Sequence, residues 1–150
     1  MCVLFVYCIE AWYGTSKFMT NRLFILQKRA VRLIVGANYL DHTDPIFRHL
    51  KLLKLDDLYI FRLACYVYKS INIPNFDVLL LEYISQHTNQ HIHFTRNAPL
   101  ITLPLYNRSK SQFSLFYSGC KIWNELDPSV GSSSSLASFR FRFRVGIFEI

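Results

Sequence analysis

Apolar side chains recur every three to four residues through most of the first half of the chain, and the period loosens in the second half. The clearest stretch is Leu23 to Gly36, LFILQKRAVRLIVG. Leu23, Leu26, Ala30, Leu33 and Ile34 fall on one apolar face of a helix. Arg22, Arg29 and Arg32 share another face, with Lys28 beside them. Thr20 or Asn21 supplies a cap, and Gly36 followed by Asn38 supplies a stop. The pattern predicts a helix over 19–36 whose apolar face is covered by neighbouring elements. Its basic face is left to solvent or to something anionic.

Residues 1–13 read as a helix that is apolar all round and ends at Gly14, so it should be buried. Thr43-Asp44-Pro45 opens a short helix with Ile46, Phe47 and Leu50 as its apolar face. Lys51 to Lys54 is a basic, leucine-rich turn. Leu55 to Ile71 is a second strong helix with few polar positions, expected in the middle of a bundle, and Asn72 and Pro74 end it. One more short apolar helix follows over 75–84. Residues 85–99 are polar, rich in His and Asn, and without period. They predict a connector and an internal boundary. Leu100 to Leu105, between Pro99 and Pro104, reads as a short strand, and 106–112 as a basic turn.

Phe113 to Leu126 reads as a helix closed by Pro128, and Gly131 to Ser135 as a flexible linker. In the last segment Phe139, Phe141 and Phe143 alternate with Arg140, Arg142 and Arg144, which is the period of a strand. A helix over 138–148 is preferred because the segment follows a Ser-rich cap region. The fold class is therefore mainly α. A helical bundle spans 1–84, a polar connector 85–112, and a smaller, partly irregular helical segment 113–150, with at most one or two short strands.

Composition narrows the class. An apolar fraction of 51% over 150 residues supports a real core in one domain and excludes global disorder. A net charge of +7 points to nucleic acid or an anionic surface. Thirteen Phe and nine Tyr fit a packed or partner-packed protein and supply rings for stacking on bases. Cys2, Cys8, Cys65 and Cys120 form no C-x-x-C pair and sit among apolar residues. They read as small buried hydrophobes in a reducing compartment, which favours the cytoplasm or nucleus over a disulfide framework or a zinc site. The apolar run Met1–Ile9 is shorter than the roughly 20 residues of a spanning helix. It has no basic start and is followed by Glu10, so neither a signal peptide nor a membrane partner is expected. The chain reads as opening inside a core helix, a cut edge rather than a natural beginning.

Five phrases, in order, carry a resemblance. They are Tyr7-Cys8-Ile9-Glu10-Ala11-Trp12; Leu26-Gln27-Lys28-Arg29-Ala30-Val31-Arg32; His42-Thr43-Asp44-Pro45-Ile46-Phe47 with the leucine-rich run to Tyr59; Thr95-Arg96-Asn97; and Gly119-Cys120-Lys121-Ile122-Trp123-Asn124-Glu125-Leu126 followed by Ser138-Phe139-Arg140. Over nearly its whole length the chain resembles the C-terminal part of reverse transcriptases of LINE-type (non-LTR) retrotransposons, near the jockey-like elements of invertebrates. The resemblance implies a thumb and the segment after it, a helical bundle that holds the template–primer duplex by its backbone. It also implies a terminal fragment of an RNA-directed DNA polymerase. The implied partners are RNA or an RNA–DNA duplex, and the upstream palm and fingers of the same polyprotein. One departure is local: the family reads Trp-Asn-x-Leu-Pro, and here Asp127 stands between Leu126 and Pro128.

No catalytic residue, metal ligand or cofactor is expected. Asp56-Asp57 superficially matches the metal-binding pair of a polymerase, but it lacks a preceding aromatic and a strand–turn–strand context. It opens a helix, where carboxylates are explained by the dipole. His87, His91 and His93 have no nearby Cys and read as incidental to a surface loop. The chain alone should have no polymerase activity. Its candidate phosphate contacts are Arg22, Lys28, Arg29, Arg32, Lys51 and Lys54, against the plain alternative of solvated helix faces. Arg140, Arg142 and Arg144 stay open between the two. The rival functions are a protein-interaction module that docks the rest of a polymerase through an aromatic, apolar surface, and a functionless translated relic. Salt dependence separates phosphate contact from apolar docking.

Overall fold

Helical period becomes helix wherever it is strong. The computed structural model describes residues 8–14, 16–88, 101–103 and 114–148, and among them the chain is mainly helical with no strand. The elements are α1 (Ile9–Trp12), α2 (Lys17–Val35), α3 (Asp44–His49), α4 (Leu55–Asn72), α5 (Val78–His87), a π-helical turn (Leu115–Gly119) running into α6 (Cys120–Glu125), α7 (Pro128–Gly131) and α8 (Leu136–Phe148). They gather into two compact units, Met1–Ile60 with Arg144–Ile150, and Phe61–Phe143.

In the first unit α2 starts at Lys17, two residues before the expected start, with Ser16 at the cap position and no side-chain cap bond. It ends as the sequence predicts. Gly36 sits at φ 69°, and the Ala37 N–H reaches back to the Arg32 carbonyl at 3.0 Å while the Gly36 N–H meets that of Leu33. The buried face differs from the expected one. Val31 is the buried residue of α2, flanked by half-buried Thr20, Phe24 and Gln27. Leu26, Leu33 and Ile34, expected to be covered, are 49%, 83% and 64% exposed. The physical reason lies in what meets the helix. α2 packs on α3, the Phe24 ring lies 6.5 Å from that of Phe47, and Gln27 Nε2 donates to the Leu53 carbonyl at 2.9 Å. A polar amide is drawn inward because it satisfies a carbonyl in the leucine-rich turn.

α3 opens as read, with Pro45 in its first turn, although the Thr43 side chain makes no cap bond. The start of α4 supplies the rest of this core through Leu55, Leu58 and Tyr59. Asp56 and Asp57 lie in its first turn. Tyr13 stacks on Tyr59 with ring centroids 4.0 Å apart and donates to Asp56 Oδ1 at 2.6 Å. Burial and that bond push the Tyr13 phenol well above its ordinary value.

In the second unit Val67, Leu80, Ile84, Ile101 and Cys120 form one cluster, with Tyr83, Phe116 and Trp123 packed against it. Burial pushes the Cys120 thiol up to about 11, and Cys65 is also buried, as small hydrophobes are. Cys8 instead is exposed, and Cys2 lies outside the described residues. α5 is capped by Asp77, whose Oδ1 accepts from the Leu80 N–H at 3.0 Å and whose Oδ2 accepts from Tyr66 at 2.9 Å. It runs to His87, past its expected end.

Of the expected strand, Ile101 makes one antiparallel bridge with Thr88. Asn124 clamps Ile101 by both backbone groups, at 2.9 and 2.8 Å. Asp127, which stands between Leu126 and Pro128, caps α7 through the Ser129 N–H at 2.7 Å. The Ser run beyond it is no free linker. Ser133 is buried, donates to the Val130 carbonyl at 2.7 Å, and its own carbonyl accepts from Tyr68 at 2.7 Å. α8 is a helix, as preferred, with Phe139 and Phe143 buried and Phe141 exposed. The expected turn at 106–112, and His91 and His93, lie outside the described residues.

Candidate nucleic-acid interface

α2 carries five cations, Lys17, Arg22, Lys28, Arg29 and Arg32, and no carboxylate; none occurs anywhere between Glu10 and Asp41. Its charge is therefore uncompensated along its own length. The cations do not share one environment. Arg22 and Arg29 are on the outward face. The Arg22 guanidinium lies 5.7 Å from the centroid of the Phe18 ring, and neither arginine meets a carboxylate among the described residues.

Arg32 is half-buried and fixed. Its Nε donates to the Asp41 carbonyl at 3.0 Å, and its guanidinium stands 5.9 Å from the Tyr39 centroid. The Gly36 turn makes this possible by folding the chain back over the last turn of α2. Arg29, Arg32, Leu33, Ala37 and Tyr39 together line a cleft of about 460 Å³. Two guanidinium groups and a phenol ring beside the Leu33 and Ala37 side chains suit a phosphate next to a sugar or base.

The remaining candidates are partly committed. Lys28 is half-buried with its ammonium 4.4 Å from the Phe24 centroid. Lys54 pairs with Asp44 at 3.0 Å. That bond, the Lys54 charge, and the fields of Lys28 and Arg48 hold the Asp44 carboxyl below its usual range. Lys51 is exposed, in the left-handed region at φ 51°, and its carbonyl accepts from Arg144 Nη2 at 3.2 Å. Arg142 Nη1 donates to the Ser129 carbonyl at 2.8 Å.

The structure thus brings Arg29 and Arg32 together in one cleft, with Arg22 further along the same helix. It pairs Lys54 with Asp44, a carboxylate that the fields of Lys28 and Arg48 also reach. Sequence reasoning missed Tyr39 and Ala37. The signal was present, because a residue just beyond a glycine helix stop is returned onto the helix's last turn. His87, expected in a surface loop, ends α5, where it donates through Nδ1 to the Tyr83 carbonyl at 2.9 Å and stacks on that ring. Among the described residues no helix is long and apolar enough to cross a membrane. Comparison with protein-family models, with curated proteins and with solved structures finds no match to this chain.

Proposed function

We propose that this chain is the non-catalytic C-terminal portion of a retrotransposon RNA-directed DNA polymerase, and that it grips RNA or an RNA–DNA duplex by its phosphates. Arg22, Arg29 and Arg32 make the main contacts; Lys28, Lys51 and Lys54 add to them from the adjoining turn. The observation that carries the reading is the carboxylate-free α2, on which Arg22 and Arg29 meet no opposing charge among the described residues. Such cations release counterions from a phosphate backbone at little cost, and they do so without choosing a sequence. The order of the five phrases supports the identity of the parent polypeptide.

The test is a salt titration of the full chain binding a labelled RNA–DNA duplex. The logarithm of the affinity should fall linearly with the logarithm of the salt concentration. Arg22→Gln, Arg29→Gln and Arg32→Gln should each reduce that slope by about one. A slope near zero, or one that these substitutions leave unchanged, refutes the reading. Exposed Leu26, Leu33 and Leu40 favour a second reading, an interaction module, because phosphate contact leaves such side chains in water.

A further inference from the structure

The outward face of α2 carries a regular ridge. Met19, Leu26 and Leu33 repeat every seven residues at 56%, 49% and 83% exposure, and Phe18 and Ile25 repeat beside them. Arg22 and Arg29 share the same spacing. At 3.6 residues per turn all of these fall within about a third of the helix circumference. The two arginines run down the middle of the strip, with Phe18 and Ile25 on one side and the Met19 row on the other. From Phe18 to Leu33 the ridge is about 24 Å long.

We propose that this ridge docks an acidic amphipathic helix of a partner protein. The proposal rests on the interaction reading and competes with the phosphate reading for Arg22 and Arg29, so duplex binding that depends on these arginines, with no peptide binding, overturns it. Apolar side chains at a strict seven-residue spacing stay in register with another helix along its length, which neither an extended peptide nor a flat surface requires. Leu26 and Leu33 form the apolar contact. Arg22 and Arg29, without carboxylates of their own, call for glutamates or aspartates spaced seven apart on the partner. The cleft beside Leu33, walled by Tyr39, takes one large partner side chain.

Two other occupants fit less well. A second copy of α2 brings no carboxylate to Arg22 and Arg29 and sets cations against cations. A bilayer surface suits helices that keep their cations off the apolar face, whereas here the arginines lie at its centre.

The experiment measures binding of the full chain to a labelled synthetic helix of about three heptads, with a leucine seam and glutamates at seven-residue spacing. The expected result is saturable binding. Leu26→Gln and Leu33→Gln should each weaken it by about fivefold or more without changing the thermal unfolding of the chain, since both side chains are exposed. Arg29→Glu should abolish it, and a peptide with lysine in place of only the glutamate that faces position 29 should restore it. If a glutamine peptide binds as tightly as the glutamate one, the interaction reading stands and the acidic class is overturned. If neither peptide binds, the proposal fails. If anionic vesicles bind through Leu26 and Leu33 while the peptide does not, the surface is a membrane contact and the proposal is overturned.

Discussion

Phe139, Phe141 and Phe143 offer a sharp test of the C-terminal helix. In a strand the three rings point to one face and cost about the same to remove. In the helix Phe139 and Phe143 are separated by one turn and face inward, and Phe141 faces out at 70% exposure. Phe139 is fully buried, stacked 4.5 Å from Tyr68 and 6.2 Å from Trp123. Phe139→Ala removes a whole ring from that stack, so the loss is the transfer energy plus a cavity, about 3–5 kcal/mol. For a chain of this size that lowers the melting temperature by roughly 10 °C. Phe143→Ala should be nearly as costly. Phe141→Ala removes a ring that is mostly in water and should stay within about 0.5 kcal/mol. Urea unfolding followed by circular dichroism measures all three. Equal losses at 139, 141 and 143 would refute the helical packing and restore the strand.

Asp77→Ala deletes the cap of α5 and the partner of the Tyr66 hydroxyl, and should cost about 1–2 kcal/mol in the same urea assay. Asn124→Leu leaves the N–H and C=O of buried Ile101 without their partners, for a loss of roughly 2–4 kcal/mol in thermal unfolding. Burial lifts the Asp57 carboxyl above its usual range, with Lys54 opposing and Asp56 adding to the rise. Its contribution to stability is full below the unfolded pKa of about 3.9 and is lost as pH rises through the higher folded value. Denaturation of Asp57→Asn across that window should show this pH dependence removed.

The fold was legible where one face of a segment was chemically distinct. Pro45 and Gly36 mark helix ends by local chemistry, and the structure uses both at or beside those ends, whereas Asp77, inside the expected helix over 75–84, turns out to be its cap. α2 was legible as a helix and illegible in its orientation. Most of its positions are apolar or long and amphipathic, so period alone offers several buriable faces. The choice fell to Phe24, which meets Phe47, and to Gln27, which satisfies the Leu53 carbonyl; both partners come from later in the chain. The Ser run misled for the opposite reason. Its residues look solvated one by one, yet Ser133 is held by Val130 and Tyr68, the latter 65 residues away. In the candidate site, which residues are cations was legible, and which of them stay uncompensated was not.

That last distinction decides how the basic surface should behave, and Asp44 is where it can be tested. Lys54 pairs with Asp44 and the fields of Lys28 and Arg48 also reach it, so this group is partly neutral, whereas among the described residues Arg22, Arg29 and Arg32 pair with no carboxylate. An exposed pair such as Lys54 with Asp44 is weak, and its effect on folding should be small. Its effect on binding should be larger, because a phosphate must compete with Asp44 for the same ammonium. Asp44→Asn frees Lys54 without altering the side-chain shape. If both groups of cations touch the backbone of a duplex, affinity should rise and the salt slope should steepen by about one. If only the arginines of α2 touch it, the slope should not move, and Lys54→Gln should be equally silent. A steeper slope in Asp44→Asn that persists in the double variant with Lys54→Gln would contradict the assignment of Lys54 as the freed contact. In that case Lys28 or Arg48 would be the cation released.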